Sequence, residues 1–281
     1  MAEGLNNLQE RVALVTGSTR GVGRGIAEEL GAAGATVYVT GRTVEQDSAT
    51  DGLPGTLSTT AKSVAALGGT PVAVRCDHTD DRQVAALFHQ IRDEQGRLDV
   101  LVNNVWGGYE AYDSQEFQLP FWKQPLKKRW RGMFEAGLRA HAAAAALAAP
   151  LMIEQGRGLI INISFGDEGK YLGNLHYDVS KAAVDRMAFA MAVELQEYGV
   201  AALSLYPGFV RTERVTEGYR GDLSVTESPR YCGRAVAALA ADPEILLRSG
   251  QSWKTGALAQ EYGFKDVDGR QPPPFNIETP L

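Results

Sequence analysis

Tyr177 and Lys181 stand four residues apart in a segment whose apolar spacing predicts a helix over 175–198, so both side chains leave one face. A phenol is a weak acid with a pKa of about 10. An ammonium beside it favours the phenolate and lowers that pKa. Such a phenol can give a proton to a carbonyl oxygen or take one from an alcohol. Ser164, thirteen residues before Tyr177, ends an apolar run over 158–164. A hydroxyl there can hydrogen-bond an oxygen on which charge develops. A second group lies near the start. Thr16-Gly17-Ser18-Thr19-Arg20-Gly21-Val22-Gly23 follows the apolar run Val12–Val15 and precedes a helical pattern. A strand, a glycine-rich turn and a helix start make a site for a dinucleotide pyrophosphate. Glycines bring the backbone close to the phosphates. The helix N-terminus offers unpaired N–H groups and a partial positive charge.

Taken in order with Asn103-Asn104 after the run Val100–Val102, and with Pro207-Gly208-Phe209-Val210-Arg211-Thr212, these residues resemble the short-chain dehydrogenase/reductase family. The resemblance covers roughly residues 8 to 271. A narrower likeness within the family rests on Tyr38–Arg42, Gly137–His141 and Asp266–Arg270. The family implies hydride exchange with NAD(P), with Ser164, Tyr177 and Lys181 as the catalytic set. Ser164 and Tyr177 would hold the substrate oxygen. Lys181 would also bind the nicotinamide ribose. Asn103 would brace the sheet, Asn104 would line the cofactor ribose, and Val210 and Thr212 would lie near the nicotinamide amide. Pro207-Gly208 also reads as an ordinary turn. Asp77 follows the third strand, where the family uses an acid on the adenine amino group; a turn or helix cap before Asp80 explains it as well.

At the end of the second strand an acid would select NAD. Gly41 and Arg42 stand there instead, eighteen and nineteen residues after Gly23. Arg42 presents a fork of donors to a 2′-phosphate, and Arg20 in the glycine turn can join it. NADPH is therefore the expected cofactor. Two positions depart from the family. Val105-Trp106 replaces an Ala-Gly pair, which predicts a reshaped substrate mouth with Trp106 touching substrate. Gly137 stands where the family carries a relay Asn that binds a water leading to the Lys. The glycine carbonyl stays accessible for that water.

The elements that must position these residues alternate regularly. Strands are predicted at 11–16, 35–40, 71–76, 98–104, 158–164, 200–206 and 250–254, and helices at 22–33, 56–67, 80–95, 128–154, 175–198 and 228–241. Strands that are apolar throughout and alternate with helices predict a parallel sheet covered on both faces. The expected fold is a single α/β domain with a doubly wound parallel sheet, a three-layer Rossmann fold. The domain spans 8–271, with an irregular, partly mobile tail at 272–281. Three stretches read as loops: 43–55, the aromatic segment 105–127, and the polar segment 211–230. The last two follow strands on the ligand side. Rings from Trp106 to Trp122 suit a pocket for a bulky apolar ketone, aldehyde or quinone, or pack as a satellite core.

The 281 residues are 44% apolar and 22% charged, with a formal net charge of −6. That balance is globular and argues against a nucleic-acid surface. Cys76 and Cys232 are too few and too distant for a disulfide framework, which predicts a reducing compartment and a cytoplasmic protein. No signal peptide is expected, and the apolar run Ala142–Ile153 is too short to span a bilayer. Four scattered histidines predict no metal. His141 reads as a buried or interface residue, and His176 as a surface one. Ser164 lacks a nucleophile elbow, so a hydrolase triad is not expected. The smooth helix Ala142–Ala149 predicts packing between subunits in a homodimer or homotetramer. The competing functions are a cofactor-binding redox sensor without turnover, and epimerase or dehydratase chemistry on the same fold.

Overall fold

The computed structural model describes residues 7–46, 49, 52–167 and 169–277. Part of the expected 43–55 loop and the end of the 272–281 tail lie outside them. Seven strands form one parallel sheet: β1 Val12–Val15, β2 Thr36–Gly41, β3 Thr70–Arg75, β4 Val100–Asn103, β5 Gly158–Ile163, β6 Val200–Tyr206 and β7 Ser252–Lys254, in the order β3-β2-β1-β4-β5-β6-β7. Between them run α1 Gly21–Ala32, α2 Leu57–Ala66, α3 Asp81–Gln95, α4 Ser114–Gln118, α5 Leu126–Arg129, α6 Ala140–Gln155, α7 Leu175–Leu195, α8 Glu213–Gly218, α9 Pro229–Ala241 and α10 Thr255–Tyr262.

Alternation within β1 shows how the layers arise. Ala13 and Val15 face one core with Ile26 and Leu30 of α1 and Val236 of α9. Val12 and Leu14 face the other with Leu87 and Ile91 of α3 and Ala144 and Ala148 of α6. Each buried Leu or Ile contributes about 1.5–3 kcal/mol, so both faces are strongly sealed. The chain winds outward from β1 to β3, then returns to β4 beside β1. The crevice at that reversal, beyond the carboxyl ends of β1 and β4, is where such sheets bind ligands. The glycine turn and Asn104–Trp106 both open onto it.

Several expectations are refined by the structure. The segment 105–127 is not simply irregular: it carries α4, a 3₁₀ turn at Phe121–Lys123 and the start of α5. Its polar centre is the buried Arg129, which donates to Gln124 Oε1 at 3.1 Å and to Glu116 Oε1 at 3.0 Å. The helix expected at 128–154 is an unbroken run over Leu126–Gln155, with a π-helical stretch at Trp130–Arg139. Among the described residues it alone is long and apolar enough to cross a membrane. One face packs on β4 and β5, with Ala144, Ala148 and Met152 in the core. The 211–230 loop contains α8, and α10 was not foreseen. The tail is irregular yet docked: Ile277 N–H donates to Asp167 at 2.7 Å, and the Phe275 ring lies 5.7 Å from that of Phe165.

Candidate active site

The glycine turn is built by close approach. Gly17 and Gly21 have φ of +66° and +55°, a region that costs other residues strain. A Cβ on Gly23 would stand 2.5 Å from Gly17 O and clash with Asn104 Nδ2. Asn104 pins the turn, donating through Nδ2 to Thr16 O at 3.0 Å and to Gly17 O at 2.9 Å. Ser18 is consumed by the frame. Its N–H and Oγ both donate to Thr40 O, and its Oγ also donates to Val15 O. Thr19 is buried, and its carbonyl accepts from Thr60 Oγ1 at 3.3 Å. Val22 packs against the core.

The Gly21 N–H, at the start of α1, donates to Glu213 Oε2 at 2.8 Å. An acidic side chain therefore takes the anion position at the helix N-terminus. The same donor, the left-handed glycines and the closely packed Gly23 fit a dinucleotide pyrophosphate. Thr212 caps α8 and lies beside Gly21. At the adenosine end, Arg42 pairs with Glu110 of the 105–127 segment. Arg20 donates to Thr43 Oγ1 at 3.2 Å and to Gly55 O at 3.3 Å. Burial pushes the Asp77 carboxyl up, but hydrogen bonds from Thr79 and the nearby Arg42 charge outweigh it and hold it low. Asp77 thus forms a local turn with Thr79, while Asp80 caps α3.

The second group gathers at the ends of β4 and β5. Asn174 caps α7 by accepting from Tyr177 N–H at 3.1 Å, and its Nδ2 donates to Phe117 O at 2.8 Å. The reactive face of α7 is thereby tied to the aromatic segment. Ser164 is buried and donates to Lys181 O at 3.3 Å. Lys181 Nζ donates to Ile163 O at 3.4 Å and lies 5.7 Å from the centre of the Tyr177 ring. Burial lowers the Lys181 pKa to about 8 against the pull of Asp185. The expectation that Lys181 lowers the Tyr177 pKa is not met in the protein alone. Burial, Tyr109 and Asp185 raise it well above the usual phenol value, with the Tyr177 hydroxyl bonded to Tyr109.

Trp106 is turned inward against Tyr177, with ring centres 5.6 Å apart. Tyr109, Phe117 and Phe165 complete the ring of aromatics around Tyr177. Phe121 and Trp122 are exposed and Trp130 stacks on Phe134, so these three belong to the surface rather than to the site. Asn103 donates to Asn162 Oδ1 at 2.9 Å and to His141 O at 3.3 Å, bracing β4 against β5. His141 is buried, with Nε2 2.9 Å from Val105 O, and burial lowers its pKa to about 3. His176 is buried too, which corrects its placement on the surface.

Sequence reading missed three acids: Glu213 against the start of α1, Asp185 and Glu227. Asp185, one further turn along α7, accepts from Tyr206 at 2.6 Å and faces the Lys181 charge. Its spacing of four from Lys181 was the available signal. Glu227 accepts from Gly208 N–H at 2.9 Å, and burial raises its pKa to about 8. It bridges Val210 beneath the Pro207-Gly208 turn, a contact between distant segments that spacing cannot reveal. Among the described residues, no three His, Cys, Asp or Glu side chains gather as metal ligands would.

A parallel sheet with this order, a glycine turn at its reversal and a Ser–Tyr–Lys set beside it define an NAD(P)-dependent oxidoreductase. The chain belongs to the short chain dehydrogenase family, whose pattern matches residues 11–221. It is 40% identical over 278 residues to dehydrogenase/reductase SDR family member 1 of Mus musculus, covering 94% of this chain and 85% of that protein. It is 29% identical over 207 residues to 7alpha-hydroxysteroid dehydrogenase of Escherichia coli, covering 73% of each. Among solved structures, a short chain dehydrogenase from Mycobacterium thermoresistibile superposes with a TM-score of 0.79 at 23% identity, covering 97% of this chain and 96% of that one.

Proposed function

We propose that the protein is an NADPH-dependent carbonyl reductase, or the corresponding alcohol dehydrogenase, acting on bulky apolar ketones, aldehydes or quinones. The observation that carries this is Tyr177, set beside Lys181 and Ser164 within a ring of aromatics at the sheet's reversal. The glycine turn, Asn104 and Thr212 would hold the dinucleotide, and Arg42 and Arg20 its 2′-phosphate. Val210 and the Pro207-Gly208 turn would border the nicotinamide. NADPH, when bound, supplies the hydride.

The remaining work falls to the chain. Ser164 Oγ can donate to a substrate carbonyl oxygen, and Tyr177 can deliver the proton to that oxygen. A phenol kept neutral by burial and Tyr109 is ready to act as the acid. Lys181 keeps a positive charge near the phenolate that remains. Trp106, Tyr109, Phe117 and Phe165 exclude water and favour apolar substrates. The relative named for a hydroxysteroid agrees with that preference. Cys76 and Cys232 are both buried, unbridged thiols, which supports a reducing compartment such as the cytoplasm.

The test is NADPH oxidation with menadione and with apolar diketones. Tyr177→Phe should lower kcat by about 10²–10⁴-fold while NADPH affinity stays within about twofold. Native turnover by Tyr177→Phe would reject the mechanism. Binding of NADPH without turnover of any carbonyl compound would favour a sensor.

A further inference from the structure

The two positions where the chain departs from its family meet in space. A Cβ on Gly137 would stand 2.5 Å from Cε3 and Cζ3 of the Trp106 indole. No side chain at 137 can coexist with the ring in this place. A second neighbour of the ring is an ammonium: Lys181 Nζ lies over it, 4.2 Å from the indole centroid. Loop and helix approach closely enough for this because glycines line the seam. Gly107 N–H donates to Gly132 O at 3.1 Å, and a Cβ on Gly132 would stand 2.6 Å from Gly107 O.

We propose that Trp106 is the positioning residue for Lys181, its π face carrying the ammonium in place of the relay side chain, with Gly137 the residue that admits the ring. This rests on the reading of Tyr177 and Lys181 as the reacting pair. Among the described residues the buried ammonium has one weak hydrogen bond, to Ile163 O at 3.4 Å. An aromatic face attracts a desolvated cation and fixes its direction. The indole Nε1 is buried and has no hydrogen-bond partner among the described residues. A buried unpaired N–H is costly, so the ring is not placed for its own hydrogen bond. Contact with Lys181 and with the Tyr177 ring accounts for its orientation. The ring thus holds Nζ beside the Tyr177 ring and favours the charged amine.

The charged and titratable groups facing Lys181 are Asp185 and Tyr177 on α7 and His141 on α6, with Tyr109 bonded in turn to Tyr177. Trp106 also packs against Tyr177 and Tyr109, so Trp106→Phe, which keeps a ring against both, controls for changes in their surroundings. The experiment titrates Lys181 by NMR of ¹³Cε-labelled lysine in the full chain without cofactor, with Lys181→Met assigning the signal. Trp106→Leu keeps apolar bulk and removes the π face; Trp106→Phe keeps a face. The Lys181 pKa should fall in Trp106→Leu and stay near the native value in Trp106→Phe. With NADPH and menadione, Trp106→Leu should lose about tenfold in kcat, with KM within about threefold and the alkaline limb of the pH profile moved to lower pH. Trp106→Phe should restore most of the rate. A native Lys181 pKa in Trp106→Leu, or an equal fall in both variants, would overturn the proposal. If the native chain fails to oxidise NADPH with menadione, the functional reading fails, and the titration still decides the role of Trp106.

Discussion

At the scale of single residues, the proposed cofactor site turns on Arg42 and on two acids, Glu110 and Glu213. Arg42 is half-exposed and already paired with Glu110. An exposed pair of this kind contributes little, about 0–1 kcal/mol, so a 2′-phosphate can displace the carboxylate. NADPH should bind at least ~10-fold more tightly than NADH, about 1.4 kcal/mol. Arg42→Asp should reverse the order, read by fluorescence titration with both cofactors; equal native affinities would reject the assignment. Glu213 makes the parallel case at the other anionic group. Its carboxylate sits on Gly21 N–H, where the pyrophosphate is expected. An anion at a helix N-terminus gains about 0.3–1 kcal/mol, and the bound phosphate must replace it. Glu213→Gln should therefore tighten NADPH by about 2–5-fold. Weaker binding in that variant would mean that Glu213 supports the site instead of occupying it.

At the scale of elements, the positioning of α1 depends on glycines that no polar or apolar pattern explains. A Cβ on Gly25 would clash with the Pro229 backbone and stand 2.6 Å from Arg230 N, and Gly233 of α9 meets Gly25 in return. Helices α1 and α9 therefore touch backbone to backbone, which brings the glycine turn under the Thr212 loop. Gly25→Ala should gain about 1 kcal/mol of helix propensity and lose more to overpacking, for a net loss of about 2 kcal/mol. In a chain of this size the thermal midpoint should fall by roughly 3–4 °C. An unchanged midpoint would show that the two helices can separate at no cost. The aromatic segment teaches a similar lesson. Its folding around Arg129, Glu116 and Gln124 makes it a fixed wall of the site, cross-linked to α7 through Asn174.

For the whole molecule, the outer surface of the α6–α7 layer is more apolar than a solvated face requires. Val179, Phe189 and Val193 of α7 and Leu147 and Ile153 of α6 are all exposed. This layer covers the sheet face opposite α1 and α9 and is continuous with the helix that carries Tyr177. The expected assembly is a homodimer or homotetramer built on it. Light scattering at micromolar concentration should give at least twice the chain mass of 30.3 kDa. Val193→Asp should shift it toward the monomer, because a charge desolvated in such a contact has no partner. A native monomer would reject the assembly.

The linear sequence determined the sheet, its winding and the main parts of the site. Fully apolar strands alternating with helices admit few topologies, and the glycine turn and the Tyr177–Lys181 spacing are local patterns written in consecutive residues. It also marked Trp106 and Gly137 as departures, but could not show that each explains the other. They lie on different elements, and their contact exists only because the loop after β4 packs on the π-helical stretch. The raised phenol of Tyr177, the neutral His141, the consumed Ser18 and the acids Glu213 and Glu227 were decided by the tertiary structure for the same reason. Desolvation and partner choice depend on what the fold brings within a few ångströms, and spacing along the chain carries no record of that.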